Sequence, residues 1–242
     1  MTPSIPNRSL SSESSMASAE ARPWRDTMMG SCTTLRSSQP VNNQRRQEWM
    51  MDDSSSFDGA GFFESYISDL KDAIDSLDYR EINQLITMVL ATRDADASIH
   101  FLGNGGSAAT PSHSAGDWSK EIGVRTIAHT DNTAMLTAFA NDHGYDQVFV
   151  GTLGSFLRSG DLVVGFSGSG NSPNVINGMK YAKANGGQTV GVTGNLNGKG
   201  PGEIADCADL LINFDTMSME RIEDLQLVLN HIVKESIKAM DA

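Results

Sequence analysis

Leu162-Val-Val-Gly-Phe166 constrains the possible folds of this chain more than any other stretch. Its apolar residues do not alternate with polar ones, so the strand they form must be covered on both faces, as in a parallel sheet between helical layers. The run ends in Ser167-Gly-Ser-Gly-Asn-Ser172, and Pro173 is a favoured first residue of a helix. Strand, small polar loop and helix recur earlier. Ile99–Leu102 reads as a strand and Gly103-Asn-Gly-Gly106 as a loop, with a helix opening at Thr110-Pro111 or a few residues earlier at Ser107.

The rest of the chain from Phe57 follows the same alternation. Phe62, Phe63, Tyr66, Ile67, Leu70, Ile74 and Leu77 recur at helical spacing, and Ile82, Leu85, Ile86, Val89 and Leu90 do so again, so two helices joined near Asp78 precede the first strand. Such a pair offers a packing surface to a neighbouring subunit. Short strands are expected at 126–128, 189–192 and 210–212. Helices are expected through Met135–Phe139, Val148–Leu157, Val175–Ala182 and Ile222–Met240. Repeated βα units predict an α/β fold: a doubly wound parallel sheet in a three-layer α-β-α sandwich, with ligands beyond the carboxyl ends of the strands.

Residues 1–56 break this pattern. They are rich in Ser, Thr, Asn and Arg, carry Pro3, Pro6, Pro23 and Pro40, and have no sustained apolar period, so the composition predicts disorder ahead of a domain at 57–242. Three readings stand: translated sequence upstream of a start at Met50 or Met51, a flexible tail, or a transit peptide. Glu13, Glu20, Asp26 and Glu48 weigh against the last. The net charge of −12 over 242 residues argues against nucleic acid as the main partner. No apolar run is long enough for a membrane span, and Cys32 and Cys207 do not form a disulfide framework, so a reducing cytoplasm is expected.

The two loops carry the chemistry. Each places backbone N–H groups and hydroxyls at a helix N-terminus, where the helix dipole favours an anion. Ser167, Ser169 and Ser172 suit a phosphate, although one such loop alone is equally an ordinary βα turn. Gly103-Asn-Gly-Gly-Ser-Ala108 also satisfies the dinucleotide fingerprint. That reading needs an acid after the next strand; Asp131 is the nearest, but it opens an Asp-Asn-Thr helix cap. It also leaves Ser167–Ser172 without a role. His113 and Asp117 lie one turn apart on one helix face, a spacing shared by surface ion pairs. His231, between apolar neighbours, also suits a core histidine. His100, His129 and His143 show no partner pattern.

Taken together, GNGGS, SHSAGD, FANDHGYDQVF, GFSGSGNSPNVI, VTGNLNGKG and RIEDLQLVLNHIV resemble the sugar isomerase (SIS) domain over residues 57–242, and within it the phosphoheptose isomerases. The resemblance implies a homotetramer with active sites shared between subunits. It implies conversion of sedoheptulose 7-phosphate to D-glycero-D-manno-heptose 7-phosphate, often with bound zinc. Asn104, Gly105, Gly106 and Ser107 match a first substrate loop, Asn141 and Asp142 a substrate-contacting pair, and Ser167, Gly168, Ser169 and Ser172 the phosphate loop. The family's metal and catalytic positions fall on His113, Asp117, Glu223 and His231, with Glu223 also facing substrate.

Two of those four depart from the family pattern. Asp117 stands where the isomerases carry Glu, so its carboxylate reaches about 1.2–1.5 Å less far. Glu223 stands where they carry Gln, and Glu121 where they often carry Arg. Two imidazoles and two carboxylates would still balance a divalent cation. On a straight helix, however, Glu223 and His231 are about 12 Å apart along the axis. The expected roles are Asp117 as base and His231 as acid, with zinc polarising the substrate oxygens. The alternative is a non-catalytic SIS module of the DnaA initiator-associating type, which shares the phosphate residues. That cousin lacks the final His, so His231 favours catalysis.

Overall fold

In the computed structural model, which describes residues 57–242, five parallel strands run in the order β2-β1-β3-β4-β5. They are β1 (Ser98–Leu102), β2 (Arg125–Ala128), β3 (Leu162–Phe166), β4 (Gln188–Gly194) and β5 (Leu210–Phe214). All five residues of β3 are buried, as the unbroken apolar run requires. β3 pairs with both β1 and β4, placing Val164 beside Phe101 on one edge and Val190 on the other. Strand order reverses between β1 and β3, so the loops after these neighbouring strands diverge and leave a crevice. The expectations for residues 1–56 lie outside the described residues.

The helices divide into two layers. On one face lie α1 (Gly59–Asp75), α2 (Tyr79–Asp94), α3 (Gly106–Ile122) and α8 (Met219–Asp241). Their core joins Leu85, Val89, Trp118, Leu225 and Val233 to Phe101, Val164 and Val192. The other face carries α4 (Thr133–His143), α5 (Val148–Phe156), α6 (Pro173–Ala184) and the short α7 (Ile204–Cys207). There Phe149, Leu153, Val175, Met179 and Ile204 close over Leu102 and Val163. Val163 and Val164 thus enter opposite cores, as the period of two in a strand demands.

Local chemistry sets several helix starts. Asp78 caps α2 by accepting from the Arg80 backbone N–H at 2.8 Å, and Asn132, rather than Asp131, caps α4 by accepting from Met135 N–H at 3.0 Å. The start of α3 differs from the Thr110-Pro111 expectation and falls next to its Ser107 alternative. The glycine turn feeds directly into Gly106, leaving Pro111 inside the helix. The cost is confined to one backbone bond, since Pro111 has no N–H to offer the carbonyl of Ser107 one turn earlier. The helix Ile204–Cys207 has no counterpart in the periodicity, being a single turn just after the Gly/Asn/Pro segment 194–202.

Among the described residues no helix is long and apolar enough to cross a membrane. α1 is unevenly covered. Ala73 is buried against the layer, whereas Phe62 and Phe63 are 57% and 65% exposed.

Candidate active site

The loops after β1 and β3 meet over the crevice. α3 begins behind Gly105 and α6 behind Ser172, and neither N-cap residue gives its helix a side-chain hydrogen bond. The Ser172 hydroxyl instead meets that of Ser167 at 3.0 Å. A third helix, α8, also starts here without a side-chain cap. None of the three helices is capped by its N-cap side chain, although Asn174 Oδ1 takes the Val175 N–H of α6 at 3.0 Å, and three helix N-termini around one cleft are an arrangement that attracts an anion. The cleft has a volume of about 230 Å³ and is lined by Asn104, Gly105, Gly106, Ser107, Phe166, Ser167, Gly168, Ser169, Ser172, Met219 and Glu223.

Two glycines shape it. A Cβ on Gly106 would collide with the carboxyl of Glu223, which lies against the first turn of α3. Gly170 has φ of +65°, and a side chain there would strike the carbonyl of Pro201, so it lets the serine loop fold onto the 194–202 segment. That segment is tied back through the Asn171 side chain, whose Oδ1 accepts from Glu203 N–H at 3.0 Å.

α3 and α8 lie side by side with residue numbers rising together along the seam: Gly106 with Glu223, His113 with His231, Asp117 with Lys234, Glu121 with Lys238. The Trp118 indole N–H donates to the carbonyl of Asn230 at 3.4 Å and fixes this register. His113 Nε2 and His231 Nε2 are 3.2 Å apart, and Asp117 Oδ2 lies 3.4 Å from the first and 3.9 Å from the second. His231 is 45% exposed at its side chain, so it is not a core histidine. These three form the one cluster of metal-competent groups among the described residues.

The donor set fits a transition metal. Tetrahedral zinc with ordinary Zn–N bonds holds two imidazole nitrogens about 3.3 Å apart, close to the observed separation, and two His with one carboxylate is a catalytic zinc set. Glu223 stands apart from this cluster. The helix α8 runs unbroken from Met219 to Asp241, so Glu223 stays about two turns from His231 and faces the cleft.

Lys234 takes the place beside Asp117 that the expected charge balance gave to Glu223. Its ammonium donates to Asp117 Oδ2 at 3.0 Å and, with smaller help from the two imidazoles, holds that carboxyl below the usual range. Glu121 is likewise paired with Lys238 at 2.9 Å. Lys234 was visible as a cation one turn beyond His231, but nothing local marked which helix it would face.

The cleft gathers the residues of both loops. Asn141 and Asp142, by contrast, lie near the end of α4, bonded to each other at 2.8 Å and outside the cleft lining. Their neighbour Tyr145 makes the connection instead, donating its hydroxyl to Asn104 Oδ1 at 2.8 Å. Asn174 also pairs with Asn104, a contact without any signal in sequence spacing.

Residues 62–194 match the SIS domain family. Among curated relatives, the phosphoheptose isomerase of Burkholderia pseudomallei is 38% identical over 157 residues, covering 63% of this chain and 78% of that protein. The phosphoheptose isomerase of Akkermansia muciniphila is 34% identical over 163 residues, covering 65% and 84%. Among solved structures, the phosphoheptose isomerase GmhA of Neisseria gonorrhoeae superposes with a TM-score of 0.68 at 32% identity, covering 74% of this chain and 96% of that one. With its parallel sheet, its serine loop and this degree of identity, the chain belongs to the SIS-domain family.

Proposed function

We propose that this chain is an aldose–ketose isomerase that converts sedoheptulose 7-phosphate to D-glycero-D-manno-heptose 7-phosphate. The observation that carries the reading is the placement of a His–Asp–His cluster on the same two helices whose N-termini open on the cleft. His113 is seven residues from Gly106 and His231 eight from Glu223, about 10–12 Å down the seam. An extended seven-carbon sugar spans roughly 10 Å from phosphorus to C1 by ordinary bond lengths. Phosphate in the cleft would therefore bring C1 and C2 to the cluster. Identity of 34–38% with phosphoheptose isomerases supports the same substrate class.

In this reading the hydroxyls of Ser167, Ser169 and Ser172 and the open helix N–H groups bind the phosphate. Asn104, Gly105, Gly106 and Ser107 line the approach of the sugar, with Glu223 beside them. Asp117, kept ionised by Lys234, takes the proton from C1. The C–H electron pair becomes the C1–C2 double bond as His231 delivers a proton to the carbonyl oxygen, giving the enediol. Return of a proton to C2 and loss of one from the C1 hydroxyl complete the aldose. His113, Asp117 and His231 would hold a zinc ion, which when bound supplies Lewis-acid polarisation of the substrate's oxygens.

The fuller assignment is a cytoplasmic homotetramer with the exposed face of α1 at a subunit contact. Residues 57–242 form its SIS domain.

Turnover of sedoheptulose 7-phosphate by the full chain tests the reading, and its absence despite tight binding would sink it. A double variant, Ser169→Ala with Ser172→Ala, should weaken phosphate binding by roughly 1.5–3 kcal/mol per lost charged hydrogen bond. Unchanged affinity, measured by calorimetry, would remove the phosphate role of this loop.

A further inference from the structure

Asn104 lines the cleft, and its amide is gripped from two sides. Its Nδ2 donates to Asn174 Oδ1 at 2.9 Å, and its Oδ1 accepts from Asn174 Nδ2 at 2.8 Å and from the Tyr145 hydroxyl at 2.8 Å. Asn174 is 2% exposed, and its Oδ1 also accepts from the backbone N–H of Val175 at 3.0 Å. That last bond fixes the polarity of the whole chain. A backbone N–H can only donate, so the atom of Asn174 facing it must be the oxygen. The Asn174 nitrogen then faces Asn104 Oδ1. The Asn104 nitrogen faces back, with one N–H bonded and one left over.

We infer that Asn174 is a positioning residue: it sets Asn104 so that the cleft receives a hydrogen-bond donor rather than an acceptor, matched to a hydroxyl or carbonyl oxygen of the sugar. Tyr145 locks the same orientation from the other side. This inference rests on the isomerase reading for its substrate but not for its geometry. The serine loop binds the phosphate independently, so the amide pair selects for the sugar and leaves the anion site alone.

Three variants test it. Asn174→Leu removes both contacts to Asn104. Asn174→Asp keeps the acceptor for Val175 and for Asn104 Nδ2 but loses the donor to Asn104 Oδ1, leaving Tyr145 to hold the polarity from the other side. Tyr145→Phe alters an exposed side chain that the fold does not need. With sedoheptulose 7-phosphate, kcat/KM should fall about tenfold in N174L and about threefold in Y145F, the range of a lost neutral hydrogen bond. N174D, which keeps one of the two bonds to Asn104, should recover only part of the loss. Affinity for inorganic phosphate should stay within twofold of the unaltered protein in all three.

A fall in phosphate affinity in step with kcat/KM would overturn the inference, because Asn174 would then merely support the serine loop. Wild-type kinetics in both N174L and Y145F would overturn it too. A second readout needs no substrate. The two side-chain amide protons of Asn104, followed by NMR, should exchange with water at different rates. The slow one should be lost in N174L and kept in N174D, whereas equal rates in the unaltered protein would defeat the assignment. Failure of the unaltered protein to turn over any phosphorylated sugar would count against the isomerase reading alone.

Discussion

His113, Asp117 and His231 on the α3/α8 seam and His100, His129 and Asp161 buried at the sheet contain the same three side chains, two imidazoles within hydrogen-bonding distance and a carboxylate. On the seam the histidine side chains are 49% and 45% exposed, while His100 is fully buried. Inside, the carboxylate and the His100 ring are engaged at every polar atom. Asp161 accepts from Ser98 N–H at 2.8 Å, Arg158 N–H at 2.6 Å and His100 Nε2 at 3.1 Å. His100, having donated there, accepts at Nδ1 from His129 Nε2 at 2.9 Å. Burial drives both imidazoles toward the neutral form and brings His129 down to about 3. On the seam, two Nε2 atoms face each other beside a carboxylate whose main partner is Lys234. Identical residues therefore make a locked structural chain in one place and, in the other, an open cluster whose groups could hold a metal ion. Solvent access and unused lone pairs make the difference.

The largest effect expected from this contrast is on turnover. Asp117→Asn and His231→Ala should each lower kcat by about 10²–10⁴, the usual worth of one proton-transfer group, with affinity for inorganic phosphate held near wild type. Zinc content measured after dialysis should fall in both variants. Lost phosphate binding would instead mean a collapsed cleft and would break the separation of the two regions.

Stability against pH should report on the buried cluster. The unfolded histidines titrate near 6.5, while the folded His129 resists protonation to about 3. The unfolded state therefore binds more protons between these values, and stability falls as pH drops through that window. By pH 4 the loss from His129 is on the order of 3 kcal/mol. Asp117, whose folded value is lowered by Lys234, contributes in a different window. Its stabilisation is present above the unfolded value of 3.8 and lost as pH falls below it. Urea titrations of His129→Gln, which keeps a donor for His100, should show a flatter slope between pH 6.5 and 4. An unchanged slope would mean that His129 is already charged in the folded protein.

The smallest effect concerns Lys234. Its ammonium adds a positive charge beside the seam cluster, so Lys234→Met should tighten zinc binding by about tenfold, given the Coulomb cost of neighbouring cations at a partly exposed site. Weaker binding in a titration of the metal-free protein would show that Lys234 supports the ligand geometry rather than competing with the ion.

Much of the cleft is legible in the sequence because its signals are local. An unbroken apolar run means a strand covered on both faces, and Pro173 after Ser172 marks a helix start. Small residues between the two leave N–H groups open to an anion. The relations between distant residues were not legible. His100 and His129 have no shared spacing, and Asp161, the partner of His100, lies 61 residues from it. Asn104 and Asn174 are 70 residues apart. For Glu223 the resemblance implied a fourth ligand, whereas its place on the helix, about two turns before His231, puts it in the lining of the cleft.

The order of strands and helices, the buried parallel sheet and the two polar loops at helix N-termini follow from the chain alone, since apolar periodicity and backbone preferences act over a few residues. The pairing of His113 with His231, the meeting of Asp117 with Lys234, and the orientation of Asn104 were decided only by the tertiary structure. Each depends on how two helices or loops settle against each other, and that register comes from packing and buried hydrogen bonds, such as Trp118 on the Asn230 carbonyl, between residues with no neighbour relation along the chain.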